Sequence, residues 1–219
     1  MIEPYYQDEL CTIYNADCRD VLPQLGPVDL VLTDPPYGIG ENSRKQQSRG
    51  KLAKPTNYGH FDWDKKPPSA DTLAMILGKA KRSILWGGNY FGLPASPCWL
   101  VWDKLNTGDF ADCELAWTNF GGAVRKFTYL WNGMLQHDMR RKEKRVHPTQ
   151  KPLPLMRWCI GLAQDAKTIL DPYMGSGTTL VAAKALGVKA VGIEISKRYC
   201  DEAVERLRQN SLIPMMEAA

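Results

Sequence analysis

The chain has 219 residues, 44% of them hydrophobic, which suits one domain over 1–219 with a real core and room for an insertion. A net charge of +4 and a pI of about 8.7 allow a polyanionic partner without demanding one. The start, residues 1–10, lacks the pattern of a secretion signal and no apolar run reaches membrane-spanning length, so a cytoplasmic protein with no membrane partner is expected.

In chain order, residues 28–33 form a short apolar run that stops at Asp34-Pro35-Pro36-Tyr37, as a buried strand ending abruptly would. Residues 40–68 are rich in Gly, Pro and basic side chains and read as a loop-rich insert. Arg44, Lys45, Arg49, Lys51 and Lys54 are its candidate nucleic-acid contacts. Residues 71–81 carry Leu73, Ile76, Leu77 and Ala80 at helical spacing, and residues 83–86 read as a strand leading into Gly87-Gly88-Asn89. Pro97-Cys98 resembles the nucleophile of enzymes that methylate carbon 5 of cytosine. The apolar run that follows makes Cys98 a buried strand residue instead. The spacing of the six cysteines predicts neither a disulfide framework nor a zinc site, and no metal is expected.

Residues 114–132, aromatic-rich around Gly121-Gly122, read as an antiparallel hairpin. Residues 137–150 form a second basic loop, with Arg140, Arg141 and Lys142 as candidate nucleic-acid contacts. Helices are expected at 153–164, 178–186 and 196–209, and strands at 168–170 and 190–194. Strands alternating with helices imply an α/β fold, a doubly wound, mostly parallel sheet. Ligands of such sheets bind outside the carboxyl ends of the strands, so the loops at 34, 171 and 194 should face one crevice.

Two of these loops carry nucleotide-like chemistry. Asp171-Pro-Tyr-Met-Gly-Ser-Gly177 follows a strand and opens a helix, and Gly175 and Gly177 let the backbone approach a ligand. No Lys follows the second Gly, and Leu180 stands where a dinucleotide fingerprint has its third Gly. A nucleotide-like ligand without a pyrophosphate is the better match. Glu194, at the end of the next strand, can accept hydrogen bonds from both ribose hydroxyls.

Asp34-Pro35-Pro36-Tyr37 fits a different task. A base amino nitrogen is a poor nucleophile because its lone pair is delocalised into the ring. The Asp34 carboxylate and the Pro35 carbonyl can each accept one N–H and localise that pair. The prolines stiffen the turn, and Tyr37 can stack on an extruded base.

Taken with His147-Pro-Thr-Gln-Lys-Pro152, these motifs occur in the order of the permuted β class of DNA amino-methyltransferases, which the chain resembles over most of its length. The resemblance implies a fold of the S-adenosylmethionine-dependent methyltransferase (Rossmann-like) type. It implies S-adenosyl-L-methionine as cofactor and double-stranded DNA as partner, in a bacterial or phage-infected cell, with homodimerisation common. By position it implies that Asp17 and Cys18 meet the cofactor's adenine and that Thr149 and Lys151 hold its methionine end. Asp34, Asp171, Tyr173, Gly175, Ser176, Gly177, Thr178 and Glu194 complete the cofactor set. Asp-Pro-Pro-Tyr is the family's usual adenine form, so N6 of adenine is the expected target, with N4 of cytosine or an RNA adenine as alternatives. A small recognition insert implies a short or relaxed target sequence.

Overall fold

The computed structural model describes residues 2–39, 66–106, 111–132, 135–140, 142–143, 145–146 and 149–210. Its strands in chain order are β1 (Tyr6–Gln7), β2 (Cys11–Asn15), β3 (Val28–Thr33), β4 (Ala80–Trp86), β5 (Leu100–Asp103), β6 (Cys113–Thr118), β7 (Arg125–Thr128), β8 (Trp131–Asn132), β9 (Leu135–Gln136), β10 (Thr168–Asp171) and β11 (Lys189–Glu194). The helices are α1 (Cys18–Val21), α2 (Ala70–Leu77), α3 (Leu153–Leu162), α4 (Thr178–Ala185) and α5 (Lys197–Asn210).

Nine strands make one mixed sheet in the order β1-β2-β11-β10-β3-β4-β6-β5-β7. The five from β2 to β4 are mutually parallel, so their carboxyl ends open on one edge. The fold is therefore α/β with a mostly parallel sheet, as expected. Side chains alternate between its faces with the period of two that a strand imposes. Leu30 and Leu32 of β3, Ile84 and Trp86 of β4 and Ile169 of β10 face the core formed with α3, α4 and α5. Val31, Leu85 and Leu170 face the opposite core, with Cys18, Val21, Leu73 and Ile76 of α1 and α2. The strands of the parallel centre are thus apolar on both sides, which is why they read as continuous hydrophobic runs.

Two sequence expectations need correction. The helix expected at 71–81 ends at Leu77. Ser69 caps its start by accepting from Thr72 N at 3.2 Å, and Gly78 closes it. Lys79 and Ala80 then join the sheet beside Val28, because main-chain pairing with β3 outweighs the helical spacing of Ala80. The hairpin expected over 114–132 does not form, because β5 lies between β6 and β7. β5 pairs antiparallel with β6 and parallel with β7, and the small hairpin is instead β8–β9. β2, the strand that leads to Asp17, was not anticipated. Cys98 is buried, two residues ahead of β5, and all six cysteines are free. Among the described residues, no helix is long and apolar enough to cross a membrane.

Candidate active site

The carboxyl ends of β2, β11, β10 and β3 bring the two motif groups side by side. Thr33, the last residue of β3, donates its hydroxyl to Asp171 Oδ1 at 2.7 Å. Asp171 also accepts from Thr179 Oγ1 at 2.5 Å and from Tyr173 N at 3.2 Å. Both carboxylate oxygens are thus engaged, by β3 on one side and by the loop and the helix after it on the other, and Asp171 holds the turn that Gly175 and Gly177 form. Burial raises its carboxyl to about 6, against the hydroxyls that favour the anion.

The turn reaches Gly177 with φ +78, a conformation that suits glycine, and a Cβ there would lie 2.8 Å from Ala203 of α5. Ser176 and Thr178 point away from open space. Arg206 of α5 donates to Ser176 O at 2.7 Å, to Ser176 Oγ at 3.1 Å and to Thr178 Oγ1 at 3.0 Å. The same guanidinium reaches Glu143 Oε1 at 3.2 Å. Glu143 is bonded in turn to the side chain of Gln136 and to Leu153 N. The second basic loop is therefore buckled through Glu143 to the Gly-rich loop. Arg140 and Lys142 are exposed on it. Arg44, Lys45, Arg49, Lys51, Lys54 and Arg141 lie outside the described residues.

Glu194 sits at the end of β11, across the loop from Asp171. Its carboxylate accepts from Gly175 N at 3.1 Å and Ser196 N at 2.8 Å, and burial raises it to about 7. Asn15, at the end of β2, donates to the carbonyls of Glu194 and Ile195. Two residues on, Asp17 caps α1 through Arg19 N at 2.9 Å and pairs with the Arg19 side chain. Cys18 is buried beside Tyr173, whose hydroxyl is pushed well up by burial and by that thiol. Asp17, Cys18, Tyr173 and Glu194 thus line one edge of the loop, with acceptors at its two ends and an aromatic ring between them. That donor set fits an adenosine: carboxylates for hydroxyl and amino hydrogens, a ring for the base.

On the other side, Asp34 follows β3. Tyr37 donates to its Oδ1 at 2.6 Å, and Lys151 Nζ lies 2.6 Å from its Oδ2. The Tyr37 ring stacks on Tyr90 at 4.9 Å and meets Phe91 edge-on. Gly87, at φ +70, lets the ring pass, since a Cβ there would stand 2.0 Å from it. Pro35 is buried and Pro36 half-buried. Lys151 is 6% exposed and points at Asp34; it also lies 3.0 Å from Glu114 Oε2, a residue of β6 that itself pairs with Lys104. Thr149 is half-buried in the turn before it.

Burial raises the Asp34 carboxyl, and the Glu114 charge adds to that against the pull of Lys151. Burial acts the same way on Glu114, yet the two ammoniums bring it down to about 2. Lys151 is raised by its carboxylates in spite of burial, so it is an ammonium at neutral pH. Sequence reasoning missed Glu114, Thr33, Arg206 and Tyr90. None lies in a recognisable local pattern, and each is tied to the site by contacts across the fold.

A family model described as DNA methylase, for N6 and N4 methyltransferases, matches residues 102–205. The chain is 26% identical over 260 residues to the type II methyltransferase M2.LlaDCHI of Lactococcus lactis subsp. cremoris, covering 96% of this chain and 94% of the relative. In sequence it is similar to DNA amino-methyltransferases. M2.DpnII of Streptococcus pneumoniae, another type II methyltransferase, is 24% identical to this chain, with 94% and 93% covered. Among solved structures, the M1.HpyAVI–SAM complex superposes with a TM-score of 0.55 at 23% identity, covering 90% of this chain and 100% of that one. The cytosine-N4-specific PvuII DNA methyltransferase superposes at 0.60 with 15% identity, covering 93% and 88%. Both share the fold. The Asp34 motif precedes the stretch that the family model matches, and the Thr33–Asp171 bond ties it to that stretch.

Proposed function

We propose that this chain transfers a methyl group from S-adenosylmethionine to N6 of adenine in double-stranded DNA. The observation that carries the reading is the Asp34 carboxylate at the tip of β3, one hydroxyl bridge from the Gly-rich loop that ends β10. S-adenosylmethionine supplies an electrophilic methyl on a cationic sulfonium. Glu194 and Asp17 accept its ribose and adenine hydrogens, Tyr173 flanks the base, and Asp171, Thr178 and Ser176 hold the loop in shape.

Tyr37 and the main chain around Pro35 receive the extruded target base. Asp34 and the Pro35 carbonyl accept the two amino hydrogens, so the nitrogen lone pair is localised and aimed. Asp34 starts with its oxygens bonded to Tyr37 and Lys151, which keep the carboxylate fixed before substrate arrives. The chain's contribution is positioning and charge, and needs no covalent intermediate. Arg44, Lys45, Arg49, Lys51, Lys54, Arg140, Arg141 and Lys142 contact phosphates or base edges, with a short target sequence.

Labelled S-adenosylmethionine, duplex DNA, duplex RNA and chromatography of the digested nucleosides test this. N6-methyladenine from DNA is expected, and Asp34→Ala should lower the rate by at least about a hundredfold. Label only in N4-methylcytosine, or only in RNA, overturns the choice of target.

A further inference from the structure

The buried charges behind Asp34 have an uneven arrangement. The Lys151 ammonium hydrogen-bonds Asp34 Oδ2 at 2.6 Å and reaches Tyr37 Oη at 3.3 Å. Glu114 Oε2 is 3.0 Å from the same nitrogen, a longer and less well aligned contact than the one to Asp34. Its other oxygen is held by Lys104. A buried carboxylate oxygen gains from a shorter, better aligned bond to an ammonium. The ammonium lies between two carboxylates, pairs with both and is closer to Asp34.

Taken with the proposed reaction, on which this inference rests, that arrangement acquires a use. Asp34 must offer an oxygen to an amino N–H in a site that also receives a cationic donor. An ammonium fixed on Asp34 competes for that oxygen and repels the cation. We propose that Glu114 is a positioning residue that takes the Lys151 ammonium from Asp34 when the site fills. Lys151 keeps its proton throughout; its contact with Asp34 is given up as its contact with Glu114 shortens. The rings of Tyr37 and Trp86, 5.7 and 5.9 Å from the nitrogen, flank it. Lys104 keeps Glu114 ionised and in place.

The test compares the cationic donor with its neutral demethylated product. S-adenosylmethionine and S-adenosylhomocysteine are titrated calorimetrically into the wild type, Glu114→Gln, Glu114→Asp, Lys151→Gln and the Glu114→Gln/Lys151→Gln double variant. In Glu114→Gln the ammonium is left on Asp34, so affinity for the cationic ligand should fall about tenfold more than for the neutral one. Glu114→Asp should retain most of the wild-type ratio. In the Lys151→Gln background the Glu114→Gln effect on the ratio should vanish, because Glu114 acts through Lys151. Equal loss of both ligands, no change in the ratio, or an undiminished effect without Lys151 overturns the proposal. A wild-type chain that binds neither ligand overturns the cofactor reading and this proposal with it.

Discussion

Asp34, Asp171 and Glu194 are three acidic residues that the fold puts to different uses. Asp34 is bonded to a phenol and an ammonium, Asp171 to two hydroxyls and a main-chain N–H, and Glu194 to two main-chain N–H groups. Glu194 has room to accept from a ligand, and its raised carboxyl makes that role pH-dependent. Affinity for S-adenosylmethionine should rise as pH increases through about 7, where Glu194 ionises, and should be flat in Glu194→Gln. Titration calorimetry between pH 6 and pH 8 (a range of about one unit either side of that value) checks this. At this scale the sequence was readable wherever chemistry is local. Asp34 and Asp171 stand beside prolines in short motifs. Glu114 stands in an ordinary strand and meets Lys151 only because β6 lies next to β4, so no spacing rule points to it.

The elements were legible in proportion to how locally they are determined. The buried strands β3 and β10 and the capped helix α5 could be read from apolar runs and from Ser196, whose carbonyl accepts from Tyr199 N and Cys200 N. The order of β5, β6 and β7 could not, since Gly121-Gly122 looks the same whether the flanking strands pair with each other or with a third. Two element-level devices hold the site. At the end of β4, Gly87 makes room for Tyr37; Gly87→Ala should displace the ring, lower kcat and cost about 1 kcal/mol or more of stability, read by turnover and thermal melting. In α5, Arg206 joins the Gly-rich loop to Glu143. Arg206→Met should destabilise the protein by about 1–2 kcal/mol by removing the cation from the half-buried Glu143 carboxylate, and should weaken donor affinity as the loop loosens. A melt and a titration on one sample measure both.

For the whole molecule, the raised carboxyls of Asp171 and Glu194 set a stability trend. Unfolded, they release protons near 3.8 and 4.5; folded, near 6 and 7. The folded chain therefore binds more protons between these values. The stabilisation is complete below about 4 and is lost as pH rises through 6 to 7. Without ligand, the melting temperature should fall from pH 5 to pH 8 (about the window these shifts define), and Glu194→Gln should flatten the fall. DNA binding should follow another variable. Raising salt from about 50 to 200 mM should weaken it at least tenfold if the basic loops meet phosphates, while donor affinity barely changes. A filter-binding salt series beside calorimetry separates the two.

The Thr33–Asp171 hydrogen bond has a consequence for how the molecule is made. Its partners are 138 positions apart, at the ends of neighbouring parallel strands. Nearly two-thirds of the polypeptide must be looped out and closed before that bond exists, and pairings of such long sequence separation are slow. In the proposed site both motifs are needed, so donor binding has to wait for this closure. In refolding, recovery of ligand binding should lag behind recovery of helical circular dichroism, and Thr33→Val should weaken the final binding while leaving the early helical phase unchanged. Competence to bind the donor is then a reporter that the centre of the sheet has closed.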